Sequence, residues 1–366
     1  MQHAQATTLA PEPSPVAPSR AIEMPSPELL KARYALSAAE ERRISRHRSQ
    51  LIDIFNGCDD RLAVIVGPCS IHDVEEAWEY ADRLAALASS LDDALMIAMR
   101  VYIEKPRSTV GWRGLVFDPA LDGSRGPDAG VAESRRLMQG IVAAGLPIAT
   151  ETLDPFVVPY VSDLLTFTSI GARTAMSQTH RQLAASMSCP VGVKNCISGS
   201  VEVAADAAVA IAEPQWVMSL TQSGRAMCAQ APGNPNTALI LRGSQLGSNF
   251  ALADQDRARG ALSERGVPET LLVDCSHGNS GKTARRQLDV LAVLMDQIKR
   301  GVRPPAGIML ESQLIHGQQP LASPSHLIPG VSITDECLGF EETAHALTAL
   351  AEVQRKAVRG RRLEEV

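Results

Sequence analysis

The chain has 366 residues, of which 45% are hydrophobic, 21% charged and only 4% aromatic; 35 Lys and Arg against 41 Asp and Glu give a formal net charge of −6. This composition is ordinary for a globular enzyme, and a net acidic chain without a run of basic residues argues against general nucleic-acid binding. No apolar run reaches the roughly 18 residues that a membrane span needs, so we expect no membrane partner either.

The sequence of the first 60 residues predicts a tail followed by a helical segment. Residues 1–25 are rich in Pro, Ala, Ser and Thr without a signal-peptide pattern, which predicts a disordered tail. Residues 26–60 have helical apolar spacing, with Ser37 and Glu40 placed for a capping box, so we predict an N-terminal helical extension. The seven cysteines are scattered without CxxC pairs, which favours a reducing, cytoplasmic location over a disulfide framework.

Between residues 61 and 356, short apolar runs alternate with longer amphipathic stretches, which is the pattern of strands followed by helices. We predict eight strands, at 62–66, 95–102, 146–151, 166–172, 189–194, 215–220, 270–274 and 307–311. Eight such units form a (β/α)8 TIM barrel, an α/β fold, with residues 357–366 as a C-terminal tail. A further run, 238–243, is assigned to an inserted β-hairpin between strands 6 and 7. The alternative is an open doubly wound sheet, although no GxGxxG follows the first strand.

Residues able to carry chemistry follow these strands one after another. In a barrel such positions share the carboxyl-terminal rim, where active sites lie. One group mixes thiol, imidazole and carboxylate, a set suited to Mn, Fe, Co or Zn: Cys69, His277, Glu311 and Asp335. Taken singly, each is also typical of a structural residue, such as a small buried cysteine.

A second group places cations on the same rim of a net acidic protein: Arg100, Lys105, Arg107, Arg173, Lys194 and Arg242. Such a cluster either pairs with carboxylates, Glu151 among them, or binds an anion. The number of cations favours a polyanionic substrate or two phosphorylated substrates. Residues 105–114, which include Ser108 and Thr109, predict a phosphate-binding loop.

Several of these segments closely resemble the type I 3-deoxy-D-arabino-heptulosonate-7-phosphate (DAHP) synthases, over about residues 27–356: GPCSIHD (67–73), MRVYIEKPRSTVGWRGLVFDP (99–119), DCSHGNSGK (274–282) and SITDECLGFEET (332–343). The resemblance implies a barrel enzyme of the shikimate pathway and of aromatic amino acid biosynthesis. Such an enzyme condenses phosphoenolpyruvate with erythrose 4-phosphate and releases phosphate. Family members are commonly dimers or tetramers, so a homodimer or homotetramer is expected.

The resemblance also implies a role for each rim residue. One divalent metal ion (Mn, Fe, Co or Zn) would be held by Cys69, His277, Glu311 and Asp335. Phosphoenolpyruvate would be bound by Arg100, Glu151, Arg173, Lys194 and Arg242. Erythrose 4-phosphate would be bound by Lys105, Pro106, Arg107, Ser108 and Thr109. Lys105 is further implied as a proton donor, so the catalytic candidates are Lys105, His277 and Cys69.

Some positions depart from the family pattern: glutamates are usual where Met176 and Gln182 stand, a lysine is usual at Gln222, and residues 196–198 lie in an altered stretch. These departures leave substrate choice open and allow two alternatives, condensation with a different aldehyde or a paralogue specialised for secondary metabolism. A third alternative, a catalytically silent regulatory subunit, predicts lost metal ligands, and all four are present. Ser188 matches the family's feedback pocket while nearby segments do not, so we hypothesise weak or altered sensitivity to Phe or Tyr.

Overall fold

The computed structural model describes residues 21–364, so most of the predicted tail, residues 1–20, lies outside the described residues. Within that range, eight parallel strands close into a barrel in which each barrel strand pairs with the next along the chain and the last pairs with the first. These strands are β1 (Leu62–Gly67), β2 (Leu95–Arg100), β3 (Ile148–Glu151), β4 (Phe167–Ile170), β5 (Val191–Lys194), β8 (Thr237–Leu241), β9 (Leu271–Asp274) and β10 (Gly307–Glu311). The predicted (β/α)8 barrel is confirmed.

The inserted hairpin is also present, but two apolar runs exchange places relative to the prediction. Residues 215–220, predicted as the sixth barrel strand, form β6 (Gln215–Leu220), which pairs antiparallel with β7 (Ala226–Ala231). Residues 238–243, assigned to the hairpin, instead provide most of the sixth barrel strand. The hairpin therefore lies between the fifth and sixth barrel strands. Burial explains the exchange, because β8 is buried at every position whereas β6 carries residues exposed to solvent.

Two helices form the predicted N-terminal extension, α1 (Pro27–Arg33) and α2 (Ala38–Phe55). The predicted capping box begins α2, because Ser37 Oγ accepts a hydrogen bond from Glu40 N at 3.3 Å and Glu40 Oε2 accepts one from Ser37 N at 2.6 Å. Near the end of α2, Leu51 and Ile54 pack against the apolar residues that fill the barrel interior. The extension thus covers the amino-terminal end of the barrel.

The remaining helices surround the barrel: α3 (Val74–Leu91), α4 (Pro127–Ala143), α5 (Val158–Val161), α6 (Gln178–Ala185), α7 (Glu202–Ala212), α8 (Leu252–Ser263), α9 (His277–Ser280), α10 (Arg286–Lys299) and α11 (Phe340–Glu364). Each of the long helices α3, α4 and α10 buries an apolar stripe on one face, as expected for helices packed on a sheet. The last helix continues through residues 357–364, most of the segment predicted as a tail. Of the helices described, none combines the length and apolarity that crossing a membrane requires.

Candidate active site at the carboxyl-terminal rim

Three of the four predicted metal ligands meet at the carboxyl-terminal rim. Cys69 follows β1, Glu311 ends β10, and Asp335 lies in the loop between β10 and α11. One ligand atom from each residue lies within 4.8 Å of the others, and Cys69 and Glu311 are buried. The parallel register brings the first two together, because Gly67 at the end of β1 pairs with Glu311.

His277, the fourth predicted ligand, lies at the edge of this group. Its Nε2 is 3.7 Å from Glu311 Oε1. On the other side of the ring, Nδ1 is 2.9 Å from Asp274 Oδ2 and 2.7 Å from Ser276 Oγ. A buried carboxylate at this position favours the tautomer with its proton on Nδ1, which leaves Nε2 to bind a metal.

The backbone around His277 is held by close contact with the loop that follows β8. His277 has a φ of 54°, in the left-handed region that residues other than glycine rarely adopt. The next residue, Gly278, donates its N–H to Arg242 O at 3.0 Å. A Cβ at Gly278 would lie 2.5 Å from Ser244 N, so only glycine allows this approach. The loop of a predicted metal ligand is thereby fixed against the loop of a predicted anion-binding arginine.

A lysine stands among the predicted metal ligands. Lys105 Nζ donates to Cys69 Sγ at 2.8 Å and to Asp335 Oδ2 at 3.2 Å. Burial opposes the charge of Lys105, but Cys69 and Asp335 outweigh it and raise the pKa of the ammonium. Burial likewise opposes the charge of Asp335, yet Lys105 and then His277 hold the pKa of that carboxyl well below its usual range. Burial and the charge of Glu311 raise the pKa of the Cys69 thiol to about 11. The side chains of Cys69 and Asp335 therefore surround the positive charge of Lys105, as the ligands of a divalent ion surround the metal.

Two of the predicted anion-binding cations are buried in ion pairs. Arg100 Nη2 is 3.0 Å from Glu311 Oε1, and Lys194 Nζ is 3.0 Å from Glu151 Oε2. The Tyr102 ring contacts both cations, with its centroid 3.9 Å from Arg100 Cζ and 5.6 Å from Lys194 Nζ. Among the described residues, the buried Nη1 of Arg100 has no hydrogen-bond partner. Buried donors are normally satisfied, so this one is available to an anion bound beside it.

The remaining cations, with the loop of residues 105–109, form a more open part of the rim. Arg173 donates from Nε to Ser108 Oγ at 2.9 Å, which joins the two predicted substrate regions. Arg107 and Arg242 donate to main-chain carbonyl groups. Within the part of the chain that the structure describes, none of these three arginines has a carboxylate within 4.0 Å. Their charges are available for phosphate or carboxylate groups.

Sequence reasoning missed two residues of this site. Asp274, fully buried at the end of β9, contacts the His277 ring. The sequence feature that could have identified Asp274 is a carboxylate at the end of an apolar strand, three residues before a histidine. Tyr102, 4% exposed, contacts the buried cations. Its signal was its position two residues after Arg100, since alternate residues of extended chain share a side.

Comparisons with known proteins identify relatives over most of the chain. The model of the DAHP synthetase I family matches residues 35–348. The Tyr-sensitive phospho-2-dehydro-3-deoxyheptonate aldolase of Escherichia coli K12 is 45% identical over 319 residues, which is 87% of this chain and 89% of that protein. The Phe-sensitive enzyme of the same organism is 41% identical over 340 residues, 93% of this chain and 96% of that one. A solved structure of the aldolase from Francisella tularensis SCHU S4 has a TM-score of 0.90 and 38% identity, covering 93% of this chain and 99% of the other.

Proposed function

The chain belongs to the DAHP synthetase I family, and from this premise we propose that its rim site condenses phosphoenolpyruvate with D-erythrose 4-phosphate to give DAHP and phosphate, the first step of the shikimate pathway. The observation that carries the proposal is the meeting of Cys69, Glu311 and Asp335 beside a set of cations at one rim. Neither a different aldehyde nor a silent regulatory subunit finds support in the relatives.

The ligand set fits one divalent metal ion. Cys69, His277, Glu311 and Asp335 would hold it, and their mixture of thiol, imidazole and carboxylate suits Mn, Fe, Co or Zn better than Mg or Ca. When bound, such an ion supplies Lewis-acid polarisation of a carbonyl oxygen. Because Cys69 must lose its proton to act as a ligand, metal affinity should rise with pH.

Phosphoenolpyruvate carries a carboxylate and a phosphate, and the cations are placed to hold both. Arginine forks bind such groups in a bidentate manner, so Arg100, Arg173 and Arg242 would fix its orientation while Lys194 adds a point charge. Glu151 keeps the buried Lys194 in place through a contact of 3.0 Å. Fixing both ends of the substrate directs its C3 toward the second substrate and lowers the entropic barrier of the reaction.

The loop of residues 105–109 would bind erythrose 4-phosphate, with Arg107, Ser108 and Thr109 as donors to the phosphate and Pro106 shaping the turn. C3 of phosphoenolpyruvate then forms a bond to the aldehyde carbon. Lys105, charged in this structure, gives a proton to the alkoxide that develops on the aldehyde oxygen. Water adds to C2 of the former phosphoenolpyruvate, and the C2 carbon loses phosphate to give the ketose.

The test is an assay of phosphate release from phosphoenolpyruvate with a panel of aldehydes: erythrose 4-phosphate, erythrose, ribose 5-phosphate and arabinose 5-phosphate. We expect release with erythrose 4-phosphate, loss of activity in EDTA, and recovery on addition of Mn2+. Faster release with another aldehyde, or full activity in EDTA, would contradict the proposal.

The same assay with Phe, Tyr or Trp tests the expected weak feedback inhibition, and strong inhibition at sub-millimolar concentration would refute that expectation. We also propose that the chain forms a homodimer or homotetramer, and sedimentation measurements of its mass in solution test this.

A further inference from the structure

Glu336, which has no role in the site described so far, connects two loops of the rim. One loop joins β10 to α11 and carries Asp335, and the other, which we call the His277 loop, joins α9, whose first residue is His277, to α10. Glu336 Oε2 accepts a hydrogen bond from Ala284 N at 2.7 Å. The bond therefore crosses from the loop of one proposed metal ligand to the loop of another.

A second set of contacts, next to the first, joins the segment after His277 to the start of α11. His316 Nε2 lies 3.7 Å from Glu336 Oε1, and His316 Nδ1 lies 2.9 Å from Glu342 Oε2. The other oxygen of Glu342 accepts from Arg285 Nε at 3.2 Å. Ala284 is thus held by a carboxylate that His316 connects to Glu342, while the pair between Glu342 and Arg285 adds little because Arg285 is 74% exposed. We call these five residues the Glu336 clasp.

The position of the clasp relates it to the metal ligands. Glu336 lines a small cavity together with His277, Glu311 and Asp335. Its side chain is 29% exposed, so its hydrogen bond to Ala284 is partly shielded from water. Lys282 also bridges the loops, at 3.7 Å from Asp335 Oδ1, but this lysine is 67% exposed and such an ion pair contributes little.

We propose that Glu336 is a positioning residue that holds Asp335 and His277 at the separation a divalent ion requires, and so sets metal affinity. The inference rests on the proposed function, because it assumes an ion bound by those two side chains. Without the hydrogen bond, the two loops would vary in separation, and binding would have to order them first. Loss of an outer contact of this kind typically costs about 10- to 100-fold in metal affinity.

The test is a calorimetric titration of the metal-free full chain with Mn2+. Glu336→Ala is expected to weaken Mn2+ binding about 10- to 100-fold. Glu336→Gln keeps an oxygen that accepts from Ala284 N, so it should bind Mn2+ as the unmodified chain does. The matched control is Glu341→Ala, since Glu341 is 73% exposed and pairs with Arg83 away from the cavity. Hydrogen exchange in EDTA gives a second readout, and the Ala284 amide should exchange faster in Glu336→Ala alone.

Two outcomes overturn the inference: Glu336→Ala that binds Mn2+ as tightly as the unmodified chain, or Glu336→Gln that is weakened as much as Glu336→Ala. Unfolding midpoints in EDTA identify a variant that has lost its fold, in which case Glu336→Ser takes its place. A failure of the proposed function has a different signature. In that case Cys69→Ser binds Mn2+ as tightly as the unmodified chain, or the unmodified chain binds none, and both proposals fall.

Discussion

Two parts of the rim, which we call the enclosed half and the open half, stabilise their charged side chains in different ways. In the enclosed half, Arg100 and Lys194 are buried and each contacts a carboxylate at 3.0 Å. In the open half, Arg107, Arg173 and Arg242 bond to hydroxyl or main-chain oxygens. Burying an unpaired charge is costly, whereas an exposed one is stabilised by water. The enclosed charges therefore had to be paired during folding, while the open ones are left for a ligand.

The difference predicts different consequences of mutation. In the enclosed half, removal of one partner leaves a buried charge without compensation, so rate and stability should fall together. In the open half, removal of an arginine should weaken substrate binding and leave the fold intact. The predictions below test this division, in order of decreasing effect.

The largest effect is expected at Cys69. Cys69→Ser removes the buried thiol of the proposed metal group. We expect turnover to fall on the order of 10³-fold or more, because Lewis-acid stabilisation of several kcal/mol is lost. The measurement is phosphate release in buffer with excess Mn2+. Cys58→Ser is the control, since Cys58 is exposed. If Cys69→Ser or His277→Ala turned over at the rate of the unmodified chain in this buffer, the proposed metal site would be contradicted.

A smaller loss is expected for Lys105→Met, which removes the ammonium between Cys69 and Asp335. If Lys105 donates a proton in the reaction, kcat should fall about 10²- to 10⁴-fold while KM for phosphoenolpyruvate changes little. Steady-state kinetics with both substrates separates the two parameters. Lys282→Met is the matched control, because Lys282 is an exposed lysine 3.7 Å from the same carboxylate. A raised KM with unchanged kcat would show that Lys105 only binds substrate, as the arginines of the open half are expected to do.

The two halves also differ in how far the sequence could predict them. Polar residues that end buried strands, such as Glu151, Lys194 and Glu311, indicated the rim because strand ends of a parallel barrel share one side. Asp335 was grouped with these residues for its carboxylate alone, and the family resemblance then supported it, because the loop that carries it comes long after the last strand. Asp274 and Tyr102 were missed although their spacing from His277 and Arg100 hinted at them, because only the fold shows that their side chains contact those residues.

The exchange of the two apolar runs has a similar cause. The run at 215–220 and the run at 238–243 both read as short strands, and hydrophobicity does not separate a strand buried on both faces from one buried on a single face. In the structure Trp216 and Met218 are 62% and 68% exposed. The exposed residues of β6 are thus apolar, and they alternate with the buried Val217, so the polarity of the run does not distinguish it from a barrel strand.

An intermediate effect is expected in the open half. Arg107→Ala and Arg173→Ala each remove a guanidinium that has no carboxylate partner in the described chain. Loss of a charged hydrogen bond worth about 1.5–3 kcal/mol should raise KM for the phosphorylated substrates about 10- to 100-fold. Neither kcat nor the unfolding midpoint should change much. Kinetics at two salt concentrations checks this, because the wild-type KM should rise with salt more than that of the variants. A large drop in stability would place these arginines with the enclosed charges.

The smallest expected effect on catalysis concerns Glu104, for which the prediction is one of stability. This buried acid of the enclosed half has no cation within 4.0 Å among the described residues. Its carboxyl accepts a hydrogen bond from Asp154 N at 3.2 Å, and burial raises its pKa to about 8. Here the enclosed half avoids an unpaired charge by keeping the acid neutral.

A raised pKa in the folded state makes a contribution to stability that is complete at low pH and lost as pH rises from the ordinary carboxyl range through about 8. Glu104→Gln keeps the acceptor for Asp154 N but cannot ionise. The free energy of unfolding of the unmodified chain should therefore fall relative to Glu104→Gln between pH 5 and 8, by at most about 1.4 kcal/mol per pH unit. Urea unfolding in EDTA across this range measures the difference. Parallel curves would mean that Glu104 is ionised while buried, and would break the rule that this half of the rim buries no unpaired charge.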